Sequence, residues 1–139
     1  MEGEDMFVKI MLWIVFVIFV ACALYFNWHE NIFHSNGSMV AGKYLIWTTF
    51  VAFLAYTVYC SWQENIFKSI KKMAELHWGR QVGIDLYLGL FLMLFIVYLN
   101  EGSVLVLLLW LVPTILFGNL ATLLYLAIHF DSIVAKFLR

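Results

Sequence analysis

Four apolar stretches dominate this chain: Phe7 to Phe26, Lys43 to Cys60, Val82 to Leu99 and Val104 to Ile128. Each is long enough to cross about 30 Å of hydrocarbon, which takes roughly 20 residues at a rise of about 1.5 Å. With 65% of residues hydrophobic and 12% charged, against about a quarter charged in soluble domains, the chain cannot hide this surface in a water-soluble core. The expected fold class is an all-α membrane protein: a single domain, residues 1–139, forming a four-transmembrane-helix bundle. The first stretch reads as a span and not a secretory leader, because the "MEGED" flank is acidic and the apolar run is longer than a signal core. A net charge of −1 argues against a nucleic-acid partner, which would need a basic surface.

Orientation follows from the basic residues. If all four stretches cross, the N-terminus, the middle loop and the C-terminus share a side that holds Lys9, Lys68, Lys71, Lys72, Lys136, Arg80 and Arg139. The other side holds Lys43. This split predicts that both termini are cytoplasmic, with a bacterial inner membrane as the expected location.

"WHENIFHS" at Trp28 to Ser35 returns as "WQENIFKS" at Trp62 to Ser69, following the first and second spans in turn. Two readings stand. One is an interfacial exit device, with Trp at the headgroup level, Glu and Asn in water, and Ile-Phe dipping back toward the acyl chains. The other is a helix-scale duplication with inverted pseudo-symmetry of the kind found in small transporters.

After the second copy, Ile66, Phe67, Ile70, Met73, Ala74 and His77 fall on one helical face, with Lys68, Lys71, Lys72 and Glu75 on the other. An amphipathic in-plane helix over about 64–77 is expected. Its lysines should attract anionic headgroups on the cytoplasmic side. A second in-plane helix is expected over 131–139, capped by Asp131 or Ser132, with Lys136 and Arg139 near its end.

Polar groups within apolar spans are costly and draw attention. Asp85 lies about one turn inside the third stretch, and Gln81, Tyr125, Arg80 and His129 are its expected partners. Asn119 sits in the fourth, either as helix glue or as a ligand-binding amide. Pro113 should kink that stretch. On the outer face His29, Glu30, His34 and Glu101 form the nearest approach to a ligand set for zinc. Interfacial His and Glu are normally solvated, however, and no HExxH-like spacing occurs, so no metal or cofactor is expected. Asn36-Gly37-Ser38 matches a glycosylation sequon. Cys22 and Cys60 should lie at opposite depths.

From about Trp78 onward, "W…GIDLYLGL…YLNEGS…W…FGNLATLLY" resembles a family of small integral membrane proteins of unknown function found in bacteria and plants. The residues that carry the likeness are Asp85, Tyr87, Tyr98, Glu101, Trp110, Gly118, Asn119 and Ala121. Asn100 stands where that family often has Lys. The resemblance implies a membrane fold, assigns no activity, and raises interest in Asp85, Glu101 and Asn119.

The expected function is that of a non-enzymatic structural or accessory membrane protein, oligomeric or attached to a larger membrane complex. A small proton-coupled transporter or channel using Asp85 is the alternative, and a membrane-embedded lipid-processing enzyme the third. A water-lined cavity reaching Asp85 would favour transport. A groove lined by Trp and Tyr and ending at an acid would favour the enzyme.

Overall fold

A computed structural model describes residues 2–29 and 31–139, and among them all regular structure is helical. The elements run α1 (Glu2–Phe26), α2 (Val40–Gln63), α3 (Ile66–Glu75), α4 (His77–Glu101), α5 (Val104–Phe117) and α6 (Asn119–Phe137). Of these, α1, α2, α4 and α6 are long and apolar enough to cross a bilayer, the make-up of a multi-pass membrane protein. The first three expected spans lie inside α1, α2 and α4. The expected helix over 64–77 exists as α3.

Local chemistry explains most of the boundaries. Glu2, Glu4 and Asp5 crowd the first turn of α1, where negative charge opposes the positive end of the helix dipole. Asn65 caps α3 by accepting from the Phe67 amide at 2.9 Å. A single residue, Leu76, then joins α3 to α4. A Cβ at Gly79 would lie 2.0 Å from the Met73 carbonyl oxygen, so only glycine permits this corner. Gly102, in the left-handed region at φ 65°, ends α4, and the Ser103 hydroxyl caps α5.

The fourth apolar stretch is not one helix. It is cut at Gly118, whose φ of 56° and ψ of −129° lie where side-chain-bearing residues are strained. The Gly118 carbonyl accepts from the Ala121 and Thr122 amides and so starts α6 in a new direction. One turn earlier Pro113 has already removed a backbone donor from α5. The two helices fold back on one another: Trp110, eight residues before the glycine, packs edge-on against Tyr125, seven residues after it, at 5.0 Å between ring centroids. With 14 residues, or about 21 Å, α5 is too short to cross a bilayer.

The tip of this hairpin packs against α4 and α1. Gly118 lies against Leu90, near the middle of α4, and the Phe117 ring packs on Phe16 and Phe19 of α1. The α6 arm is the best-buried element, with Ala121, Leu124, Tyr125 and Ala127 wholly inaccessible. It packs chiefly against α2. A close backbone approach makes this possible, since a Cβ at Gly42 would fall 2.5 Å from the Phe130 ring.

Two expectations change as a result. Residues 131–139 form no separate in-plane helix, because α6 runs through to Phe137. The chain's two ends also lie apart. Asp5 pairs with Lys68 of α3 at 2.9 Å, whereas Lys136 reaches the Asn100 carbonyl beside the α4–α5 turn. The grouping of Lys136 and Arg139 with Lys68, Lys71 and Lys72 rested on an unbroken fourth span, and the break at Gly118 removes that premise.

Candidate functional site

The strongest concentration of polar side chains lies where the loop after α1, the start of α2, the α4–α5 turn and the second half of α6 converge. Lys43 is 1% exposed. A buried ammonium is costly unless paired and fully hydrogen-bonded. Here Nζ lies 3.2 Å from Asp131 Oδ2 and 3.3 Å from the His34 carbonyl, and it also donates to the Asn31 carbonyl. The other oxygen of Asp131 accepts from the Ser35 hydroxyl at 2.7 Å. Trp47 adds a second tie, donating from Nε1 to the Ile32 carbonyl at 2.9 Å. The loop is thus fastened to α2 through its backbone carbonyls and to α6 through the Ser35 hydroxyl.

Beside this pair, Tyr125, His129, Ser132 and Lys136 recur at i, i+4, i+7 and i+11, one face of α6 directed at the end of α4. The Tyr125 hydroxyl donates to Glu101 Oε1 at 2.9 Å and accepts from Asn100 Nδ2 at 2.7 Å. Ser132 donates to Asn100 Oδ1 at 3.1 Å. The His129 ring lies 4.5 Å from that of Tyr125, and its Nδ1 is 3.7 Å from Glu101 Oε1. A carboxylate, a phenol and an imidazole in contact could exchange a proton. Tyr125 and His129 are nearly sealed from the surface, at 0% and 5% exposure. One cavity of the molecule touches none of these groups.

That cavity, about 270 Å³, lies at the other end, between α1, α2, the start of α3 and the hairpin tip. Its inner wall is apolar and aromatic. Asp5, Lys9, Glu64 and Asn65 stand around its mouth.

The residues expected from sequence therefore separate. Tyr125, His129 and Glu101 come together, although Tyr125 was expected beside Asp85. The reversal at Gly118 explains the difference, since it carries Tyr125 back toward Glu101 and away from the α3 end. Asp85 is exposed on the side of α4, and no hydrogen bond or ion pair joins it to another described residue. Arg80 faces His77, at 2.6 Å between Nη2 and Nδ1. The Tyr87 hydroxyl reaches the Ile115 carbonyl at 3.4 Å. Asn119 is exposed at the hairpin tip, where its side-chain oxygen accepts from Thr122. Lys71, Lys72 and Arg139 are exposed.

Of the outer-face residues, Glu101 lies with Tyr125 and His129. His29 and His34 are exposed, and His34 contributes its carbonyl to Lys43. Glu30 lies outside the described residues. Among the described residues no three His, Cys, Asp or Glu side chains are grouped to hold a metal.

Sequence reasoning missed Asn100 and the Lys43–Asp131 pair as site residues. A signal existed: Lys43 is a lone cation opening one apolar run, and Asp131 an acid closing another. A comparison of the chain with family models, curated proteins and solved structures finds no match.

Proposed function

We propose that the protein is a non-enzymatic accessory component of the bilayer, which meets another membrane protein through one face of α4. The observation that carries this reading is Asp85. It is exposed on an apolar helix long enough to span, with Gln81 one turn before it and Gly89 one turn after, and a Cβ at Gly89 would meet open space. Acyl chains cannot solvate a carboxylate, so this face calls for a neighbour with a complementary group. The partner is a membrane-spanning helix carrying a basic or amide side chain about one turn inside the α3 end. Two copies of this chain face to face would instead oppose like charges.

The polar cluster around Lys43 and Glu101 then has an internal role, holding a re-entrant hairpin in place. The cavity does not reach Asp85, which favours the accessory role over proton-coupled transport. The reading includes α3 lying in the membrane plane, with Lys71 and Lys72 toward anionic headgroups.

Affinity purification of the full-length chain in mild detergent tests the proposal. A membrane protein with a basic or amide residue in a span should accompany the wild type, be lost on Asp85→Leu and be retained on Asp85→Glu. Equal recovery with Asp85→Leu, or recovery of a second copy of this chain in place of such a partner, would overturn it.

A further inference from the structure

The cavity near the N-terminal end lies beside α1, which aromatic side chains join to α2 and α5. Trp13 donates to the Ser61 hydroxyl at 3.0 Å, while Phe16 and Phe19 lean on Phe117 and Trp110. The space left between helices runs from Asp5 at its mouth to Phe16 at its inner end, eleven residues of α1 or about 16 Å. Phe16, Phe117 and Leu120 line the inner end. Such a wall offers nothing to water and suits a hydrocarbon chain.

The polar groups around the mouth are mostly committed to each other. Asp5 is paired with Lys68, Glu64 accepts from Ser69 at 2.7 Å, and Asn65 caps α3. Lys9 is the exception. It is half-buried, two residues into the first apolar run, and no hydrogen bond or ion pair joins it to another described residue. A cation at the head of an apolar cavity is complemented by an anion carried on an apolar chain.

We propose that this cavity binds one alkyl chain of an anionic membrane amphiphile, with the acidic headgroup held at Lys9. The site is separate from the Asp85 face, so either can stand without the other. The full-length chain carrying Cys22→Ser leaves Cys60, in the cavity wall, as its one thiol. Its alkylation by N-ethylmaleimide then reports occupancy. In mild detergent, palmitate at about ten times its dissociation constant should slow the reaction by up to about tenfold, the limit mass action sets for a thiol that is also exposed. Hexadecanol, with the same chain and no charge, should slow it far less. Lys9→Gln should remove the advantage of palmitate, and Lys9→Arg should keep it. Equal protection by acid and alcohol, no protection by palmitate, or protection indifferent to Lys9→Gln at unchanged helical content would overturn the proposal.

Discussion

Lys43 and Asp131 stand 88 residues apart in sequence and 3.2 Å apart in space, joining the first turns of α2 to the last turns of α6. The contact requires the fourth apolar stretch to return to the end from which it entered. Lys43 is buried and Asp131 30% exposed, so removing the acid leaves the ammonium buried and unpaired, at a cost of about 3–5 kcal/mol. Asp131→Leu should therefore lower the detergent melting temperature markedly, and Lys43→Met by less. The double variant, which buries no unpaired charge, should recover much of the loss. Additive losses would show that the two residues do not act as a pair.

Tyr125 both donates to Glu101 and accepts from Asn100, and its side chain is inaccessible to solvent. Tyr125→Phe keeps the ring against Trp110 but removes both hydrogen bonds. Losing two hydrogen bonds to these half-buried partners costs about 1–3 kcal/mol. A melting temperature equal to that of the wild type would contradict the arrangement.

The spans were legible because hydropathy over twenty residues is a strong signal, and α3 because its apolar and basic residues separate by face. The hairpin was not legible. Val104 to Ile128 has the length and hydropathy of one crossing, and Asn119 reads as helix glue within it. Nothing local reveals that Gly118 adopts a positive φ, which depends on α6 finding a place against α2. The site residues followed from that one misread turn. Asp85 was assigned partners that an unbroken span would have brought to its depth, while Lys43 and Asp131 were read singly, as a lone outer charge and a helix cap.

Gly118 should accordingly be intolerant of substitution. Alanine at φ 56°, ψ −129° is strained by about 1–3 kcal/mol. At Gly83, inside α4 with open space around it, alanine should be neutral or stabilising by up to about 1 kcal/mol, as in any helix interior. Thermal melting of Gly118→Ala beside Gly83→Ala checks the contrast, and equal responses would mean that Gly118 lies within a continuous helix.

Sidedness tests the reversal at Gly118 most directly. With Cys22 and Cys60 replaced by Ser, single cysteines are placed at Glu4, Asn36 and Arg139, and intact cells or sealed vesicles are treated with a membrane-impermeant thiol reagent. A hairpin that enters and leaves by one end puts Arg139 on the same side as Asn36 and opposite Glu4. The basic residues then divide as Lys9, Lys68, Lys71, Lys72 and Arg80 against Lys43, Lys136 and Arg139, which favours Glu4 as the cytoplasmic one. Labelling of Arg139 together with Asn36 and not with Glu4 is the predicted result. Labelling of Arg139 together with Glu4, and not with Asn36, would mean that the fourth stretch crosses the membrane and would contradict the account.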